Sequence, residues 1–219
     1  EYGYSEKVTL LKASIYDNMG KYHLAKIEIK KVLEYFPESL QFRLVAAELS
    51  LKSGDEEEAA EYYKQVFDID STNIFALTNL TDYYRKKEDY SNSFYYMSKS
   101  FENPLIDSKR KLAIISFYLS DEEYLNGYQQ EIERLVEIYL DMYPNDADGK
   151  LVAVDFYINS KNYEKGFVVL NEYLKLKTSP YGIWMQAVLL ANAAGMNNEL
   201  VDITGRALEN FNDSTDIVF

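Results

Sequence analysis

The 219-residue chain has no cysteine, which removes disulfides, thiolate metal sites and a cysteine nucleophile and leaves the compartment open. It has a single histidine, His23. A general base or metal ligand needs partners within hydrogen-bond or coordination reach. The neighbours Tyr22 and Leu24 supply none, so a solvent-facing turn residue is expected there. No Gly-rich phosphate loop, nucleophile elbow or HExxH pattern occurs, and no residue is assigned to catalysis, a cofactor or a metal. An enzyme is not expected. No run of 18 apolar residues exists to span a membrane. Basic residues are also in deficit, 23 against 36 acidic ones for a net charge of −13. A nucleic-acid partner would require a basic stripe, and there is none.

Much of the acidity lies in Asp55-Glu56-Glu57-Glu58 and Asp121-Glu122-Glu123. Both clusters fall where helices should begin, so carboxylates complementing a positive helix N-terminus are the simpler reading. A metal site would need further ligands converging from elsewhere. The 47% apolar content excludes intrinsic disorder.

What the chain does have is a period. In the stretch Gly20–Phe36, Gly20 is followed by Tyr22 and Ala25, then Ile29 and Val32 on one helix face, and Pro37 stops the helix. Thirty-four residues on stand Gly54, Ala59, Tyr63, Val66 and Ser71; after another 34 come Glu88, Tyr90, Ser93, Met97 and Ser100. The phase resumes at Lys161 and Gly195. A sustained period of this length marks a helix-turn-helix solenoid, in which each unit buries its apolar face on its neighbours. Six repeats are expected at about 6–39, 40–73, 74–107, 108–146, 147–180 and 181–214, as one solenoid.

The spacing predicts a first helix over Ser5 to Met19, capped by Ser5, with Val8, Leu11, Ile15 and Tyr16 buried. Later helices run from Tyr22 to Phe36, from Glu56 to Asp70, and from Ile74 with Leu77, Leu80, Tyr83 and Tyr84 inward. Small residues at Ala13, Ala25, Ala47 and Ala59 let helix axes approach to about 8–10 Å. Tyr16, Tyr84, Tyr118 and Tyr157 fill the space beside them, which accounts for much of the count of 21 tyrosines. In repeat four, Ile132, Val136, Tyr139 and Pro144 fit only if five residues near Tyr124–Ile132 are skipped. A second helix lengthened to span Asp121 to Met142 accommodates them, adding about 7.5 Å and turning the face by roughly 140°; a loop-like insertion is the alternative. Asn212-Asp213-Ser214 reads as a turn and cap.

These slots resemble the tetratricopeptide repeat. The match rests on Ala13-x2-Tyr16, Ala25-x3-Ile29-x2-Val32 and Pro37, on Leu77-x2-Leu80-x3-Tyr84, and on Trp184-x2-Ala187 with Gly195 and Ala207-Leu208. The resemblance implies an all-α, right-handed superhelix and a protein-interaction scaffold whose first helices line a concave groove. Here that groove would include Lys7, Leu10, Ser14 and Asp17, then Gln41, Leu44, Glu48 and Lys52, then Phe75, Thr78, Asp82, Arg85 and Lys86. Leu112, Ser116, Asp148, Leu151, Asp155, Met185 and Leu189 would continue it. The carboxylate clamp of chaperone-binding members is missing, since Leu10 and Ser14 stand where its Lys and Asn would be. Mixed charge with Leu, Phe and Met suits an extended peptide or a partner helix, and Leu44, Lys52, Phe75, Asp82, Arg85 and Lys86 are the candidate contacts, with Arg85 as anchor.

Two other functions remain open at this point. One is a small-ligand or glycan-binding module of a bacterial cell-envelope lipoprotein; the other is a regulatory segment of an enzyme whose catalytic domain lies elsewhere. The Asn, Lys, Tyr and Ile-rich composition leans towards a bacterial periplasm or envelope, with the cytoplasm as alternative. Because the chain opens at Glu1 and closes on Ile217-Val218-Phe219, a fragment of a longer array is expected, prone to self-association through that apolar end.

Overall fold

The computed structural model describes residues 6–211. Among them are thirteen helices and no strand: α1 (Glu6–Asn18), α2 (Tyr22–Tyr35), α3 (Leu40–Lys52), α4 (Glu56–Ile69), α5 (Ile74–Lys86), α6 (Tyr90–Glu102), α7 (Ser108–Leu119), α8 (Glu122–Gly127), α9 (Gln129–Met142), α10 (Ala147–Asn159), α11 (Tyr163–Leu176), α12 (Tyr181–Ala193) and α13 (Asn197–Phe211). No helix among the described residues is long and apolar enough to cross a membrane. The chain forms two compact units, Glu1–Leu105 and Ile106–Phe219. The expected cap Ser5, the turn Asn212-Asp213-Ser214 and the apolar end Ile217-Val218-Phe219 lie outside the described residues.

The first unit contains three helix pairs, α1–α2, α3–α4 and α5–α6, each closed by the same turn. Gly20, Gly54 and Glu88 take left-handed backbone, with φ of 69°, 81° and 59°. One residue later, the amides of Lys21, Asp55 and Asp89 donate to the carbonyls of Tyr16, Ser50 and Tyr84 at 2.8, 2.9 and 2.9 Å. A left-handed residue followed by this six-residue hydrogen bond is the Schellman motif, which satisfies carbonyls that a helix end would otherwise leave bare. The second unit repeats it at Lys161 and Gly195, where Asn162 and Met196 donate to Tyr157 and Ala191. Asp55, Asp89 and Asn162 then cap the next helices, accepting from the amides three residues on.

Between the pairs, small side chains set the approach. Ala25, Ala47, Ala59 and Ala76 have no exposed surface, and Ile29, Val32, Tyr63, Val66 and Met97 are buried around them. The first helix departs from expectation. Val8, Leu11 and Ile15 are exposed, whereas Thr9 and Ala13 are buried and Leu10 and Tyr16 are half-buried. The face that meets α2 is chosen by closeness of approach, which favours Ala13 and Thr9 over the more apolar stripe beside them.

In the second unit, α10–α11 and α12–α13 keep the regular pattern, but the expected continuous helix over Asp121–Met142 is broken at Tyr128. That residue leaves helical geometry (φ −134°, ψ 39°) and its amide donates to Tyr124 O as a C-cap. Beyond the break, α9 has the same 14 residues as α2, α4 and α11, so the five extra residues are shed into the short α8. Gly127 weakens a helix by about 1 kcal/mol relative to alanine. Tyr124 anchors α8 with its ring centroid 5.1 Å from that of Tyr118 and 6.3 Å from Phe117.

Two lysines of the second unit are buried. Lys150 meets Glu172 of α11. Lys111 has its ammonium 3.4 Å from the Tyr143 hydroxyl and 5.4 Å from that ring's centroid, and burial holds its pKa below the ordinary lysine value. Gly149 faces the Tyr139 ring so closely that a Cβ there would stand 3.0 Å from Cδ1, 3.1 Å from Cζ and nearer still to Cε1. The Tyr139 hydroxyl donates to Asp146, the N-cap of α10.

Candidate functional site

The first unit has a cavity of about 590 Å³ lined by Gln41, Leu44, Val45 and Glu48 of α3, Tyr63 of α4 and Phe75 of α5. Residues 41, 44, 45 and 48 share one face of α3 by helical spacing. Phe75, in the first turn of α5, stands 67% exposed at the rim. Tyr63 is buried, and its position in α4 puts its ring at the floor; burial pushes its phenol above the ordinary tyrosine value. A smaller cavity of about 140 Å³ also touches Tyr63 and is lined on its polar side by Glu56, Asn79, Asp82 and Lys86.

The charges near these cavities are paired. Lys52 lies 3.0 Å from Glu48 and 3.0 Å from Asp17, whose hydrogen bonds, that to Glu48 foremost, hold its ammonium above the ordinary lysine value. Arg85 contacts Asp82 at 2.9 Å, one helical turn away. Lys86 reaches Glu56 at 2.8 Å and lowers its carboxyl, and Lys87 reaches Glu57 at 3.4 Å. The Asp55–Glu58 run therefore serves two purposes: Asp55 caps α4, while the glutamates tie neighbouring pairs together. Glu58 is the centre of the strongest tie. Burial pushes its carboxyl up, but hydrogen bonds from Lys26, from Lys30 at 2.8 Å and from Ser50 at 2.9 Å outweigh this and bring it down to about 2.

Of the six candidate contacts, Leu44 and Phe75 line the larger cavity, and Asp82 and Lys86 line the smaller one. Lys52 and Arg85 line neither; both are exposed and held in ion pairs. Tyr63 and Val45 were not among the candidates. Tyr63 reads as packing because it shares a slot with Ile29 and Met97, and its one distinguishing signal is the polar edge of its ring. His23 is exposed, as expected.

Residues 8–39 and 40–73 match the sequence model of the tetratricopeptide repeat, turn for turn with α1–α2 and α3–α4. These two segments are tetratricopeptide repeats. The solenoid that they begin is all-α, and the Schellman turn of these repeats recurs at Glu88, Lys161 and Gly195. The chain as a whole is similar to several solved structures. One is a tetratricopeptide repeat protein from Parabacteroides merdae ATCC 43184, at 12% identity over 93% of this chain and 79% of that one, with a TM-score of 0.48. Others are PilW, described as a widely conserved type IV pilus biogenesis factor (15% identity, 97% and 98% covered, TM-score 0.41), and the MamA protein (13%, 97% and 95%, 0.38). Likeness at this level says nothing of function. None of the curated proteins matches the sequence.

Proposed function

We propose that the first unit is a protein-interaction module whose α3–α5 groove takes an apolar side chain of an extended peptide or a partner helix. Tetratricopeptide repeats generally mediate protein–protein interaction, and stacked helix pairs present a continuous inner surface to a partner. The observation that carries the finer reading is the cavity between Leu44, Tyr63 and Phe75. It combines an aliphatic wall, an aromatic floor and an exposed aromatic rim, with polar groups at Gln41, Glu48 and the Tyr63 hydroxyl. Anchors of this kind dominate binding when they enter a desolvated pocket. Lys86 and Asp82 next to it offer opposite charges at the edge, where they set register more than affinity.

Selection of peptides from a random displayed library against the chain tests this reading. Enriched sequences should share a large apolar or aromatic residue, and their binding should fall at least tenfold for Phe75→Ala and for Leu44→Asp. Glu57→Ala, outside the cavities, should leave it unchanged. Selected peptides that bind Phe75→Ala and Leu44→Asp as tightly as the parent would remove the groove from consideration.

A further inference from the structure

The two outermost described helices each carry a bare apolar face, and the repeat itself shows what such faces are for. On α1, Val8, Leu11, Ile15 and Met19 are 51%, 61%, 48% and 56% exposed. Their spacing of three, four and four residues places them on one side of the helix. Thirty-four residues on, α3 has Phe42, Val45 and Leu49 in the first three of these places. There the face is covered by the preceding helix α2: the Phe42 ring centroid lies 6.0 Å from that of Phe36, and Leu49 and Val45 belong to a cluster with Ala25, Ile29 and Leu33. At the far end, Val201 and Leu208 of α13 are 74% and 44% exposed. Counting from the left-handed turn residue, they correspond to Ala60 and Phe67 of α4, which pack in one cluster with Ala76 and Leu80 of α5.

Among the described residues, no helix precedes the first of these faces and none succeeds the second. We infer that these are two halves of one interface, and that α13 of one copy of this chain docks on α1 of a second copy as α4 docks on α5 within the chain. The flanking charges agree. Lys7 and Lys12 are exposed on α1, and Glu209 and Asp202, the latter 3.2 Å from Arg206 one turn on, are exposed on α13. Because the two patches differ, the contact is head-to-tail and a dimer keeps one unused patch at each end, so association continues past the dimer. The net charge of −13 opposes association at low salt, and apolar contact survives screening; moderate salt should therefore strengthen the assembly.

Sedimentation velocity over a hundredfold concentration range, on the parent chain and on Leu11→Asp and Val201→Asp, reads this out. The parent should form a growing series of species, shifted to lower concentration at 0.3 M salt. Each variant alone should remain monomeric across the range, since both positions are exposed and neither change disturbs the core. An equimolar mixture of the two should stop at a dimer, because the variant retaining its α13 face meets the one retaining its α1 face. Far-ultraviolet dichroism matched to the parent confirms that both variants are folded. A parent monomeric throughout, a mixture no different from its components, or a Phe75→Ala chain that loses association while Leu11→Asp keeps it would each overturn the inference. The last result would place the second copy in the groove.

Discussion

The two units solve the same packing problem by different means. In the first, closeness comes from repeated alanines, and buried charge is balanced between successive pairs, as where Lys26 and Lys30 of α2 share Glu58 of α4. In the second, the period slips by five residues, and a contact of another kind appears, a ring on a glycine at Tyr139–Gly149, beside Lys111 buried against Tyr143 and Lys150 held by Glu172. A regular array can reuse a small side chain at every step. Where the register shifts the reuse stops, and the gap is closed by a local arrangement such as Tyr139 on Gly149.

The sharpest break between the units should come from enlarging one small residue in each. Gly149→Ala puts a methyl group into the Tyr139 ring, which is itself tied to Asp146, so α9 and α10 must move apart. A loss of about 3 kcal/mol is expected from overpacking of this kind. Ala59→Leu in the first unit adds more volume to a slot with no exposed surface, in one cluster with Ala47, Val66 and Leu80, and about 2 kcal/mol is expected. Urea titrations of both variants against the parent measure the difference, and a larger loss at Ala59 would reverse the contrast between the units.

The charge network of the first unit has its own signature in pH. A carboxyl lowered to about 2 in the folded chain stabilises it above the ordinary carboxylate range, and that contribution is lost as pH falls towards 2. Glu58→Gln should therefore cost about 2 kcal/mol at pH 7, in line with hydrogen bonds to a charged group. The gap to the parent should narrow steadily below about pH 5. Denaturant midpoints at pH 7, 5 and 4 decide it; a gap constant across that range would mean that Glu58 gains nothing from its lysines.

The smallest effect tests what the units share. Glu88 and Lys161 hold the left-handed position that Gly20, Gly54 and Gly195 fill elsewhere. That conformation costs a residue with a Cβ about 1–2 kcal/mol, part of which glycine returns through its freer unfolded chain. Glu88→Gly and Lys161→Gly should each raise stability by about 0.5–1 kcal/mol, and by equal amounts if the turn is the same object in both units. Thermal melts of the two variants suffice.

The turns were legible in the sequence because they depend on neighbours only. A residue at a fixed interval, with or without glycine, announces the left-handed step, and Ala25, Ala47 and Ala59 announce close approach. The face of α1 was not legible. Val8, Leu11 and Ile15 outrank Thr9 and Ala13 in hydropathy, and only the stacked neighbour shows which stripe is covered. The same limit hid the partners of the acidic run, since Lys86–Glu56 and Lys87–Glu57 each join residues 30 apart across a helix packing that local spacing does not encode. At the groove, Leu44 and Phe75 could be placed from their helix face, while Tyr63 could not, because its slot is filled elsewhere by Ile29 and Met97.

Tyr63 lies where the groove and the core meet, packed with Ala47, Ala60 and Ala76 on one side and lining the cavity beside Leu44 on the other. A tyrosine ring in such a place turns over only when the helices around it breathe. A side chain lodged in the cavity takes away part of the room that this flip requires. Filling the groove should therefore slow the flip of the Tyr63 ring, and exchange between its ring protons in nuclear magnetic resonance measures it.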